Sequence, residues 1–249
     1  MKFDIQEKVN YMAMQHGIIS IGVSGGSMPS IVAEALSNIP DFQWDRVKIF
    51  VVDERNVEVD SAESNIGTYL RLIPKAHNKS LLNFTIYENH VKTAHMYEAT
   101  LRKMLLPEQN GQYARFDILL LGVGPDGHTC SLFPGLDVPK LTDHHWVTAV
   151  SESPKPPSKR VTLTMPVLNN AKNLAFIITG KPKSHVVKSI YDGDKKYPAS
   201  QVRPINNRLT LILDEDAASD LPRPLPTPKD AEKSPQKMEI DESREMDMS

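Results

Sequence analysis

Short apolar runs recur along the chain at Ile18–Val23, Val47–Val52, Phe116–Leu121, Leu174–Thr179 and Leu209–Leu213, each ending in glycine, charge or a polar turn. Several are continuously apolar rather than alternating, the pattern of strands covered on both faces. Segments with helical character fall between or after them: Pro29–Leu36, Asn65–Leu72, Val91–Leu105, Pro182–Tyr191 and a short one at Asp214–Leu221. Two further candidate strands are Trp146–Val150 and Arg160–Thr164; around the second, Val161, Leu163 and Met165 alternate with polar residues, as on a half-exposed strand. Strands alternating with helices predict an α/β domain with a mostly parallel central sheet and helices on both faces.

Composition breaks this pattern only at the C-terminus. From residue 221 to 249 the chain carries four closely spaced prolines, alternating charges and almost no large apolar side chains. Such a segment buries too little surface to offset its ordering entropy, so a disordered tail is expected after a single domain spanning 1–220. The tail holds five Lys/Arg and seven Asp/Glu, against 29 and 31 in the whole chain of 249 residues, so it accounts for the entire net charge of −2. A near-neutral body argues against a nucleic-acid partner or an anionic membrane surface. Nothing approaches the ~18 uninterrupted apolar residues of a membrane span, and the N-terminus has no apolar core of signal-peptide length. With one cysteine, Cys130, no internal disulfide can form, which fits a reducing, cytoplasmic setting. Ser153-Pro154-Lys155-Pro156-Pro157-Ser158 is a second proline-rich stretch, short enough to read as a stiff loop.

Two strand ends carry the candidate chemistry. After Ile18–Val23 comes Ser24-Gly25-Gly26-Ser27, followed by Pro29, a residue suited to a first helical turn. Glycines let backbone N–H groups approach an anion, a helix N-terminus favours negative charge, and the two hydroxyls can donate. The same loop also reads as a tight turn of small residues, since it lacks the lysine of a P-loop. After Phe116–Leu121 comes Gly122-Val123-Gly124-Pro125-Asp126-Gly127-His128-Thr129. It matches the dinucleotide spacing G-x-G-x-x-G, yet Pro125 stiffens the turn and Phe133-Pro134-Gly135 interrupts any following helix. The acid expected about 20 residues on is represented only by Asp143. The loop is better read as presenting Asp126 and His128, whose side chain titrates near neutral pH.

Charges cluster where other strands leave the sheet. Asp53-Glu54-Arg55 closes the second apolar run, at the strand end where open α/β sheets gather ligands. Arg55 could pair with phosphate, and Asp53 could bind a sugar hydroxyl or orient the histidine; a surface salt-bridge cluster is the alternative. Arg160 precedes a candidate strand, and Lys183 lies in the first turn of a helix, with Lys181 as a competitor. Cys130 reads as a small buried residue. His144-His145 has no companion at metal-ligand spacing, so no metal site is assigned.

Taken in order, these residues resemble the glucosamine-6-phosphate deaminase/6-phosphogluconolactonase family, which implies a modified Rossmann-like fold. The matching segments are Ser24–Ser27, Asp53–Arg55, Ser64-Asn65 with Tyr69, the long run Leu121–Pro134, and Pro156-Pro157 through Arg160–Thr164, with the late Asp214–Ala218 segment. The deaminases carry an Asn-Glu-Pro segment after the shared Asp-Gly-His core, where this chain has Ser131-Leu132-Phe133-Pro134-Gly135 and no carboxylate. The resemblance therefore implies the lactonase branch: hydrolysis of 6-phosphogluconolactone in the oxidative pentose phosphate pathway, with no metal and no organic cofactor. It implies His128 as general base, with Asp53 or Asp126 orienting it or the sugar. It implies a sugar-phosphate site made of Ser24, Gly25, Gly26, Ser27, Arg55, Gly127, Arg160 and Lys183. The competing expectations are a sugar-phosphate isomerase or deaminase, and a non-catalytic sugar-phosphate sensor. Two departures stand out. Only 23 residues precede Ser24, where the family has an additional strand and a longer helix, so an edge strand is expected to be missing; and Val57-Glu58 replaces a usual Val-Pro.

Overall fold

The computed structural model describes residues 17–105, 112–136 and 145–222. The expected tail beyond residue 222 and the expected N-terminal shortening lie outside the described residues. The predicted strands form a five-stranded sheet in the order β2-β1-β4-β7-β8, where β1 is Ile19–Val23, β2 Val47–Val51, β4 Ile118–Leu121, β7 Leu174–Ile178 and β8 Leu209–Leu213. Every pairing in it is parallel. The continuous apolar runs sit where that pattern requires: β1 and β4 are wholly buried in the middle, while β8, at the edge, is half-buried throughout. Helices α1 (Met28–Ser37), α2 (Asn65–Leu72), α3 (His90–Met104), α4 (Met165–Asn169), α5 (Ser184–Asp192) and α6 (Pro198–Gln201) fill the connections. None of them is long and apolar enough to cross a membrane.

A second sheet departs from the simplest expectation. Trp146–Val150 and Arg160–Thr164 do contain strands, β5 (Val147–Val150) and β6 (Arg160–Leu163), but neither joins the parallel sheet. They pair antiparallel with each other and with β3 (Asp53–Arg55), giving the order β3-β6-β5. The charged triplet is thus a strand of its own rather than the frayed end of β2. Val52 is the junction. Its N–H donates to Val23 O at 2.9 Å, on the large sheet, and its carbonyl accepts from Leu163 N–H at 2.8 Å, on the small one. Helix α3 covers the small sheet, with Tyr97 Oη donating to Val51 O at 2.6 Å and Glu98 accepting from the Trp146 and Val147 N–H groups.

Asp214–Leu221 is a run of turns, not the expected helix. The Asp214 carboxylate takes the N–H groups of Ala217, at 2.7 Å, and Gly180, at 3.0 Å, a cap of the kind that starts a helix, but the Ser219 and Leu221 N–H groups then reach back only three residues, to Asp216 O and Ala218 O. Lys183 likewise precedes its helix: Lys181–Lys183 is a 3₁₀ turn, and Lys183 is the N-cap of α5.

Candidate active site

Parallel strands place all their carboxyl ends on one side of a sheet, and here the ends of β1 and β4 are adjacent. A cleft of about 290 Å³ opens there, between the two glycine loops and the small sheet. Ser24, Gly25, Gly26, Ser27, Asp53, Arg55, His128, Arg160 and Lys183 all line it. Asp126 reaches it through His128, and Gly127 shapes the loop. A larger cavity, about 560 Å³, lies at the opposite ends of β1 and β2, where Lys79 pairs with Asp45 and Lys172 with Asp117.

The loop after β1 runs straight into α1. Ser24 Oγ accepts the Gly122 N–H at 3.2 Å, tying the two strand ends together, and its own proton has no acceptor among the described residues. Tyr69 Oη fixes Ser24 O at 2.8 Å. Gly25 has no room for a side chain, because a Cβ would collide with Asn65, whose Nδ2 donates to Asp53 O at 2.8 Å. Among the described residues, the Gly25, Gly26 and Ser27 N–H groups find no acceptor within the protein. Free N–H groups at the start of a ten-residue helix form a ready anion site.

The loop after β4 closes on itself instead. Gly127 N–H donates to Gly124 O and Gly124 N–H to His128 O, each at 2.9 Å, and Gly127 adopts φ +82°. Gly124 leaves the space that the His128 ring and the Asp126 carboxylate fill. His128 Nδ1 lies 2.5 Å from Asp126 Oδ1, and Phe133 stacks on the ring at 4.5 Å. With Nδ1–H donated to the carboxylate, Nε2 carries the lone pair. Burial pushes the imidazole pKa down from 6.5, and Lys155 acts in the same direction, while Asp126 and Asp53 oppose them. The Asp126 carboxyl is held below its ordinary value: burial would raise it, but the bond to His128 and the Lys155 ammonium outweigh that. Burial raises the Cys130 thiol well above its usual range, so it is a wall of the cleft and not a nucleophile.

The charged triplet divides by strand alternation. Asp53, 4% exposed, faces the cleft, and its Oδ2 accepts from Ser131 Oγ at 2.7 Å. Among the described residues Asp53 makes no hydrogen bond to His128, so orienting the histidine falls to Asp126. Glu54 is fully buried on the other side. It accepts the N–H groups of Arg55, Asn65 and Ile66 and the Ser64 hydroxyl, at 2.7–3.1 Å. Burial still lifts its carboxyl to about 7 against the backbone donors. Both acids are therefore built in, and the surface-cluster alternative does not hold for them. Arg55 does reach Glu63, through Nη1, but its buried Nε finds no acceptor among the described residues.

Arg160 is nearly buried and largely committed to folding. Its guanidinium donates to the carbonyls of Lys155, Pro156 and Pro157, holding the proline-rich loop against the cleft. Lys183, by contrast, has no carboxylate within 4 Å among the described residues; burial lowers its pKa and the Asp214 charge works against that. Sequence reasoning missed Lys155 as a site residue. Its Nζ lies 3.2 Å from Asp126 Oδ1 and 3.3 Å from His128 Nδ1, whereas the sequence marks its loop only as a stiff proline-rich stretch and a family-like segment. No cluster of three metal-ligating side chains occurs among the described residues.

The model of one family, glucosamine-6-phosphate isomerases/6-phosphogluconolactonase, matches residues 1–211. A Caenorhabditis elegans protein with a provisional 6-phosphogluconolactonase name is 53% identical over 221 residues, 88% of this chain and 82% of the relative. The 6-phosphogluconolactonase of Homo sapiens is 39% identical over 213 residues, covering 80% and 79% of the two chains. Among solved structures, 6-phosphogluconolactonase from Trypanosoma brucei superposes with a TM-score of 0.73 at 28% identity, covering 88% of this chain and 92% of the other.

Proposed function

Because the chain belongs to the glucosamine-6-phosphate isomerase/6-phosphogluconolactonase family, we propose that it hydrolyses 6-phospho-D-glucono-1,5-lactone to 6-phospho-D-gluconate, a step of the oxidative pentose phosphate pathway. The observation that carries this reading is the Asp126–His128 pair at the wall of a cleft lined by Arg55, Lys183 and free backbone N–H groups. His128 Nε2 takes a proton from water, and the oxygen forms a bond to the lactone carbonyl carbon. The tetrahedral intermediate then expels the ring oxygen, and the imidazolium returns the proton to it. Asp126 holds the ring in the tautomer that the first step needs. Arg55, Lys183 and the Ser24–Ser27 loop receive the phosphate and the charge that develops on the carbonyl oxygen. Arg160 supports the wall they work against, and Asp53 faces the sugar hydroxyls.

The deaminase reading finds less support. Asp53 is the sole carboxylate lining the cleft among the described residues, and Phe133 lies against His128 in the segment where the deaminases carry their ring-opening acid. The reaction is assigned to the cytoplasm and to a metal-independent mechanism. Hydrolysis of freshly generated lactone by the purified protein, with spontaneous hydrolysis subtracted, tests the reading. Saturable turnover undiminished by chelator is expected. A folded protein that binds 6-phosphogluconate without turning over the lactone would favour a sensor instead.

A further inference from the structure

Lys155 is placed by contacts that have nothing to do with its own side chain. The Ser153 N–H closes the loop onto Ser158 O at 3.0 Å, and Ser153 Oγ donates to Lys155 O at 2.9 Å. Arg160, itself 3% exposed, grips Lys155 O at 2.9 Å and Pro157 O at 3.0 Å. From that anchored backbone the ammonium reaches Asp126, its one carboxylate partner within 4 Å among the described residues. An ammonium only donates, and the His128 Nδ1–H also donates, so two donors converge on the single oxygen Oδ1.

We infer that Lys155 is a positioning residue for the reaction: paired with Asp126 beside the Nδ1 edge of His128, it keeps the imidazole neutral in the resting site and urges the imidazolium to give its proton back. The inference rests on the lactonase reading above. A carboxylate held only by the histidine would be free to stabilise imidazolium fully, leaving a base that is already protonated near neutral pH. Sharing that carboxylate with a fixed cation 3.3 Å from the ring removes part of that stabilisation. The same cation favours the second half of the reaction, in which the ring must lose the proton it gained. Other charges facing the ring are Asp53 across the cleft, which opposes Lys155, and Arg160, whose guanidinium lies 5.5 Å from the Phe133 ring. Neither of them touches Asp126.

The test compares wild type, Lys155→Met, Lys155→Gln and Lys155→Arg by the pH dependence of kcat/KM for the lactone, and by NMR titration of the His128 Cε1–H in substrate-free protein. Removing the ammonium removes a charge that disfavours imidazolium, so the acid limb and the NMR titration should both move to higher pH. With the lysine 43% exposed and so screened, about half a unit to one unit is expected for Met and Gln. At a pH well below the limb this is a roughly threefold to tenfold loss of kcat/KM that recovers at higher pH, while Arg keeps the wild-type profile. An acid limb and titration that stay in place in both neutral variants would overturn the inference. So would a raised KM with kcat and the limb unchanged, which would make Lys155 a substrate contact. If wild type fails to turn over the lactone, the functional reading falls, and the NMR titration still decides whether Lys155 controls the imidazole.

Discussion

The loops after β1 and β4 leave neighbouring parallel strands side by side, and both begin with small residues, yet they are built for opposite tasks. The first, Ser24–Ser27, opens directly into α1 and offers its backbone: three N–H groups have no protein acceptor among the described residues, the arrangement on which the proposed anion site rests. The second, Gly122–Thr129, folds back on itself and offers side chains, bracketing the Asp126–His128 pair between Gly124 and Phe133. What separates them is the residues that follow. Met28-Pro29 lets a helix start at once, whereas Pro125 and Phe133-Pro134 forbid one. Glycine at a strand end thus supplies room, and the next few residues decide whether backbone or side chain uses it.

That division should be breakable from either side. The largest effect is expected beneath the first loop. Glu54→Ala leaves the Arg55, Asn65 and Ile66 N–H groups and the Ser64 hydroxyl facing a vacant interior, costing about 3 kcal/mol or more of stability. A chemical denaturation curve measures it, and a midpoint within error of wild type would remove Glu54 from the frame. Next comes the second loop. Asp126→Asn should lower kcat by about 100-fold with little change in affinity for 6-phosphogluconate, because an amide can turn its NH2 group to Nδ1 and fix the wrong tautomer, and it no longer balances the imidazolium charge. Across the cleft from the first loop, on β3, Arg55→Ala should act the other way, raising KM roughly tenfold at nearly constant kcat; an unaltered KM would count against its role as a phosphate clamp. The smallest effect concerns pH. Burial lowers the His128 pKa from its ordinary 6.5, and in the proposed mechanism the neutral ring is the active form. Activity should therefore persist as pH falls through 6.5 and be lost only at lower pH, and an acid limb above 6.5 would contradict the geometry.

Much of this arrangement was legible in the residues. The strands of the large sheet are continuous apolar runs whose ends are marked by glycine, so their burial and both loops could be read directly. β3 was not separable from β2, because nothing in Val52-Asp53 announces that the chain changes sheets; the partner that draws it away, Leu163, lies more than a hundred positions on. Lys155 was hidden for a similar reason: a lone lysine among prolines becomes a site residue only when Arg160 folds its loop toward Asp126. At the expected late helix Asp214 does cap Ala217, but the Ser219 and Leu221 N–H groups reach back only three residues, so the turns never settle into an α-helix.

The measurement that bears most directly on the division of labour is a paired one on His128→Ala: kcat for the lactone, and the dissociation constant for 6-phosphogluconate by calorimetry. A kcat at least about 100-fold lower with affinity within about twofold of wild type is expected, since the proposed anion site stands on the other loop. Unchanged turnover, or turnover and affinity lost together, would contradict it.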